Sequence, residues 1–193
     1  MNTVNHAFQI SAGWLAEVRR WPSPNANERP PGTQVDTLVI HGISLPPGQF
    51  GGAHVDALFG NRLAADAHPY FATIAALRVS AHALIRRTGD ITQYVSFDRR
   101  AWHAGRSCFA GRAGVNDFAV GVELEGTDDC PYSLTQYRQL ARLAAALLRY
   151  YPAMHRDRII GHSDVAPGRK TDPGPAFEWR RFARELRAAE LAV

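Results

Sequence analysis

Two histidines in this chain stand at the ends of apolar, β-branched runs. His41 closes Thr37-Leu38-Val39-Ile40, and His162 follows Ile159-Ile160-Gly161 and opens the segment HSDVAPGRKTDPGP. That segment also holds Asp164, Lys170 and Asp172. Two imidazoles and one carboxylate make a three-ligand set that leaves zinc a fourth position for water. A lysine beside that water adds positive charge, which suits hydrolysis of an amide better than a purely structural site. Asp172 and Asp164 compete for the carboxylate place. In an extended segment Asp164 shares a face with His162, but it serves equally well as a local cap. Asp172 precedes Pro173, where turn capping is the common alternative.

Lys170 is the only lysine in the chain, against 21 arginines. Arginine is the default surface cation here, so a retained lysine favours a compact charge on a flexible stem over a planar fork. Glu123 and Glu125 lie in the run FAVGVELEG, where Val120, Val122 and Leu124 point one way and Ala119, Gly121, Glu123 and Glu125 the other. Small residues beside a carboxylate leave room for a pocket. Glu123, next to Gly121, is the candidate general base, and Glu125 is read as structural. The competing reading is two solvated carboxylates on an edge strand. His54, His68, His82, His103 and His155 lie in unrelated local contexts, and none pairs with another at the i, i+4 spacing of an HExxH site.

The elements that must position these groups are legible in outline. Residues 37–44 read as a buried strand with His41 near its carboxyl end, where open α/β sheets meet ligands. Residues 79–97 suggest two strands joined around Thr88-Gly89-Asp90. Ser133 and Gln136 form a capping box for a helix over 133–151, with Tyr137, Leu140, Leu143 and Leu147 at helical spacing and Pro152 closing it. Arg158-Ile159-Ile160 is a short strand that delivers His162 to an exposed rim. A last helix covers residues 176–190. The expected class is α/β (α+β), a single domain over residues 1–193 with a central mixed sheet flanked by helices.

The 193 residues are enough for a core without disulfide support. Cys108 and Cys130, the two cysteines, form no CxxC pair. No secretory-type segment opens the chain and no apolar run spans a bilayer, so a cytoplasmic protein without a membrane partner is expected. The net charge of +4 comes mostly from scattered arginines rather than from a basic run interleaved with aromatics, which argues against nucleic acid. It fits some attraction for a carboxylate-bearing ligand.

The blocks SPNANERPPG, VIHGISLPPGQFGG, VSAHALIRRTGDITQYVSFDRRAWHAGRS, NDFAVGVELEGTDDCPY and GHSDVAPGRKTDPGPAFEW resemble the cytosolic 1,6-anhydro-N-acetylmuramyl-L-alanine amidases of Gram-negative bacteria. The resemblance runs from about residue 23 to residue 182. It implies a zinc amidase fold of the kind shared with peptidoglycan recognition proteins, one Zn2+ per chain held by His41, His162 and Asp172, and catalysis by Glu123 and Lys170. It also implies a muropeptide substrate contacted by Arg78, Trp102 and Asn116, a place in peptidoglycan recycling and indirect control of β-lactamase induction. Two departures stand out. Gly42 occupies a position that is often asparagine in relatives, which removes one substrate hydrogen bond. Gly114 and Val115 replace a basic residue and a cysteine, so Arg112 is the candidate substitute. A monomer is expected. A non-catalytic peptidoglycan-binding module and an amidase acting on intact wall are the rival readings.

Overall fold

The computed structural model describes residues 7–192, and its centre is a six-stranded mixed sheet. In chain order the strands are β1 (Arg19–Arg20), β2 (Thr37–Ile43), β3 (Ala83–Ile85), β4 (Ile91–Gln93), β5 (Ala119–Glu125) and β6 (Ile159–Gly161). They lie side by side as β6-β2-β5-β3-β4-β1, and every neighbouring pair is parallel except the β3–β4 hairpin. The helices are α1 (His54–Phe59), α2 (Pro69–Ile74), α3 (Leu134–Tyr150), the single turn α4 (His162–Val165) and α5 (Trp179–Leu191).

The two long strands, β2 and β5, pair with each other in the middle of this sheet. Their alternation decides both layers. Leu38, Ile40, Val120, Val122 and Leu124 pack against Tyr137, Leu140, Leu143 and Leu147 of α3 and Phe182 and Leu186 of α5. On the opposite face, Val39 and Ala119 meet Ala104, Val115, Phe118 and Val165. Leu84 on that side joins Val55, Leu58, Phe59 and Phe71 from α1 and α2. The face away from α3 and α5 is the one that carries His41 and Glu123.

Several expectations need adjustment. The strands within 79–97 are shorter than the apolar run, because the His82 carbonyl accepts from both Tyr94 N (2.9 Å) and Val95 N (3.4 Å) and ends the regular ladder. Helix α5 begins at Trp179, later than residue 176. Phe177 is instead packed against Tyr132 and Tyr137 ahead of the helix, and Glu178 N donates to the Tyr137 hydroxyl at 2.7 Å. His162 is buried rather than at an exposed rim.

The capping box of α3 forms as expected: Ser133 Oγ accepts from Gln136 N at 3.1 Å, and Gln136 Oε1 accepts from Ser133 N at 3.0 Å. Gln136 does more than cap. It is fully buried, and its Nε2 donates to the carbonyls of Ile85 (3.2 Å) and Glu125 (3.0 Å), tying the helix start to the ends of β3 and β5. Removing that amide leaves two buried carbonyls without their donor, at about 1–3 kcal/mol each. Losing the Ser133 cap alone costs about 1 kcal/mol. Urea unfolding in chelator should therefore show Gln136→Leu to be clearly more destabilising than Ser133→Ala. Equal losses would reduce Gln136 to a cap.

Candidate metal centre

Parallel register assembles the site. Across β2 and β5, Glu123 lies directly beside His41. Across β6 and β2, Gly161 pairs with Ile40, so the next residue, His162, comes abreast of His41. Three polar side chains thus stand in a row, His41 and Glu123 on the carboxyl halves of their strands and His162 just past the end of β6, with neighbouring strands about 4.8 Å apart. Asp172 arrives from the loop after α4. Its carbonyl accepts from Ser163 N (3.0 Å), and Tyr132 Oη donates to the neighbouring Pro173 carbonyl (3.0 Å).

The loop aims Asp172 at the two imidazoles. His41 Nδ1 and His162 Nδ1 are 2.9 Å apart, and Asp172 Oδ2 is 3.0 Å from His162 Nδ1 and 3.4 Å from His41 Nδ1. Burial holds the His41 pKa down to about 4, although Asp172 pulls the other way, so its imidazole is neutral at physiological pH. Asp172 behaves oppositely: burial would raise its pKa, but the hydrogen bonds with His162 and His41 hold it below the usual carboxylate range. Lone-pair atoms of two imidazoles and an ionised carboxylate meet at one point, a donor set that fits a divalent metal ion. Asp164, the rival carboxylate, is occupied elsewhere. Its Oδ2 accepts from Gly161 N at 2.7 Å and caps α4.

Glu123 is buried within the sheet, not solvated on an edge, because β5 is paired on both sides. Burial first, and then the charge of Asp172, push its pKa well above the usual carboxylate range, with Lys170 opposing. Its Oε2 has no hydrogen-bond partner among the described residues. Lys170 itself is exposed, and its charge acts on both His41 and Glu123. Glu125 has a structural role. Its Oε1 accepts from Gly51 N (2.6 Å) and Arg86 (3.3 Å), and its Oε2 from Arg87 N (3.2 Å), which ties down the loop leaving β2.

The remaining candidates are distributed around this centre. Arg78 is exposed and donates to the Ala76 carbonyl at 3.4 Å. Trp102 is half-buried, with its indole N–H donating to Asn27 Oδ1 at 2.8 Å. Asn116 Oδ1 accepts from the backbone of His103 (3.1 Å) and Ala104 (2.7 Å). Arg112 pairs with Asp36 at 2.5 Å and stacks on Phe118, at the amino end of the strand whose other half carries His41.

One residue of the site escaped the sequence reading. His103 Nδ1 lies 2.9 Å from His41 Nε2. The space beside Gly121, expected to open a pocket, is filled by the His103 ring: a Cβ at 121 would meet it at 2.4 Å. The glycine on the polar face of β5 was the available signal, but it does not say which side chain fills the gap. Of the other histidines, His82 accepts from Gly121 N (2.9 Å) and His68 caps α2 by accepting from Tyr70 N (3.1 Å).

Two histidines and an aspartate gathered at the carboxyl ends of parallel strands, with a buried glutamate on the neighbouring strand, have the equipment of a metal-dependent amide hydrolase. A family model described as N-acetylmuramoyl-L-alanine amidase matches residues 31–175, and the chain belongs to that family. The 1,6-anhydro-N-acetylmuramyl-L-alanine amidase AmpD of Salmonella typhimurium (strain SL1344) is 58% identical over 170 residues, 88% of this chain and 90% of the relative. A crystal structure of a selenomethionine AmpD derivative superposes with a TM-score of 0.90 at 55% identity, over 92% of this chain and 99% of that one. The Escherichia coli amidase AmiD, solved with the substrate anhydro-N-acetylmuramic acid-L-Ala-D-gamma-Glu-L-Lys, gives a TM-score of 0.57 at 25% identity, over 93% of this chain and 65% of that one.

The two aspartates of the 162–172 segment give a direct test. Asp172→Ala should lose bound metal on dialysis, measured by elemental analysis, whereas Asp164→Ala should keep it and lose only stability, by about 1 kcal/mol for the cap. Metal retention by Asp172→Ala would remove this carboxylate from the ligand set.

Proposed function

We propose that this chain is a zinc-dependent amidase that cleaves the amide between the lactyl group of (1,6-anhydro-)N-acetylmuramic acid and L-alanine in muropeptides. The observation that carries this reading is the convergence of His41, His162 and Asp172 with Glu123 one strand away, whose buried Oε2 has no hydrogen-bond partner among the described residues. The high identity to relatives named as 1,6-anhydro-N-acetylmuramyl-L-alanine amidases supports the anhydro sugar; the family resemblance adds a place in cytosolic peptidoglycan recycling, with an indirect effect on β-lactamase induction where that circuit exists.

Zinc held by His41, His162 and Asp172 would lower the pKa of water in its open position toward about 7 and polarise the scissile carbonyl. The protein supplies the rest. Glu123, with its affinity for a proton raised by burial, takes the proton of the attacking water and returns it to the departing amine nitrogen of L-alanine. Lys170 places its ammonium where negative charge grows on the tetrahedral oxyanion. Arg78, exposed and free of any ion pair among the described residues, is assigned to the acidic stem peptide. Trp102 is assigned to the substrate-facing wall, and Asn116 holds the backbone of the 103–104 segment next to it. Arg112 is already engaged by Asp36, so any part it takes in carboxylate recognition competes with that pair.

Mass spectrometry of products from anhydro-muramoyl tripeptide tests the activity. Release of anhydro-sugar and free tripeptide, stopped by a chelator and restored by zinc, is the expected result. Intact substrate with zinc-loaded protein would leave a peptidoglycan-binding module.

Lys170→Ala should retain zinc while kcat falls on the order of 10²–10³-fold, the usual cost of one lost oxyanion donor. Lys170 also pulls the Glu123 pKa down. Glu123 must be ionised to act as base, and a higher pKa keeps it protonated to higher pH. The acid limb of kcat/KM should therefore move to higher pH in Lys170→Ala. An unchanged rate and an unmoved limb would end this role for Lys170.

A further inference from the structure

Among the described residues, His103 is an ionisable side chain in contact with the triad to which neither the triad nor the acid–base chemistry gives a task. Its ring Nδ1 is 2.9 Å from His41 Nε2, while the other nitrogen of His41 faces His162 and Asp172. A neutral imidazole carries one proton. If Nδ1 of His41 is to offer its lone pair to a metal, that proton must sit on Nε2, and the acceptor within reach is His103 Nδ1. His103 in turn carries its own proton on Nε2, an atom shut from solvent and without a partner among the described residues.

The ring is fixed in place from several directions. Asn116 Oδ1 accepts from His103 N and Ala104 N, at 3.1 and 2.7 Å. Ser80 Oγ accepts from Trp102 N at 3.0 Å, and Trp102 O accepts from Ser80 N at 3.1 Å. Arg169 donates to the Ala104 carbonyl at 2.6 Å. The base of the ring lies over Gly121, where a Cβ would meet Cγ at 2.4 Å, Nδ1 at 2.5 Å and Cδ2 at 2.7 Å. Flipping the ring about Cβ–Cγ leaves Cγ in place, so any side chain at 121 must drive the whole ring out of this position. His162 has no such support: its Nε2 is buried without a partner among the described residues.

We propose that His103 is a positioning residue for the metal ligand His41, accepting the His41 Nε2–H so that Nδ1 is held free and aimed at the ion, and that Gly121 is the space that admits it. This rests on the reading of His41, His162 and Asp172 as zinc ligands. Outer hydrogen-bond partners of ligating histidines typically tune metal affinity by about 10–100-fold.

Zinc affinity, measured by chelator competition on the full chain, tests the proposal. His103→Ala should bind zinc about 10–100-fold more weakly, and His103→Asn, whose Oδ1 can take the place of the ring Nδ1, should recover most of the loss. Gly121→Ala should reproduce the His103→Ala loss in the wild-type background and cost nothing further in the His103→Ala background, since the ring it displaces is gone. In the zinc-loaded, 15N-labelled wild type, a slowly exchanging ring N–H of His41 should be visible, and it should vanish in His103→Ala. Wild-type affinity in His103→Ala, or an additive loss in the double variant, would overturn the positioning role while the zinc site stands. A wild-type protein that binds no zinc would overturn the ligand reading and this proposal together. If His103→Ala fails to fold, Gly121→Ala and His103→Asn still decide the matter through the same affinities.

Discussion

The site depends on one constraint, the in-register parallel pairing of β6, β2 and β5. His41 and Glu123 stand on β2 and β5, His162 follows directly on β6, and the register brings the three to the same level. Because side chains alternate along a strand, a slip of one residue between β2 and β5 would turn His41 or Glu123 toward the core under α3, and a slip of β6 would carry His162 out of level with them. Leu38, Ile40, Val120, Val122 and Leu124 oppose such a slip, since each would have to leave the apolar layer. The hydrophobic core is therefore also what sets the geometry of the polar row. Asp172 comes from farther along the chain, and its loop is tied down by hydrogen bonds from Ser163 and Tyr132.

Within this row, two carboxylates only a strand or so apart are driven in opposite directions. Asp172 faces two imidazole nitrogens and stays ionised in spite of its burial. Glu123 has no such partner, so burial and the charge of Asp172 raise its pKa. Environments that separate the proton affinities of neighbouring groups also separate their tasks. The charged oxygen is fitted to hold a cation, and the carboxylate whose hold on a proton is strengthened by burial is fitted to move one.

Local chemistry was legible in the sequence, and contacts across the sheet were not. The β-branched run into His41, the alternation of residues 119–125 and the Ser133–Gln136 box are all local patterns, and each forms as read. The choice between Asp164 and Asp172 was not local. It turns on the cap that Asp164 gives to Gly161, in a helix only one turn long that no periodicity announces. Glu123 and Glu125 looked alike on their strand, but Glu125 is claimed by Arg86, Arg87 and Gly51 from elsewhere in the chain. His103 was passed over because its partner His41 is 62 residues away, and Gly121 marked the space without naming its occupant.

Gly42 shows the same dependence of a local departure on a distant contact. From sequence, a glycine directly after His41 reads as a lost hydrogen bond to substrate. In the fold, a Cβ at 42 would lie 2.5 Å from the Tyr132 hydroxyl. That hydroxyl is the one bonded to the Pro173 carbonyl, immediately after Asp172, and Gly42 N itself points at Asp172 Oδ2 from 3.4 Å. Any larger residue at 42 must share this space with Tyr132 and so act on the loop that carries the carboxylate. The absent side chain is thus coupled to the triad through Tyr132, and position 42 belongs to the support of the candidate metal centre.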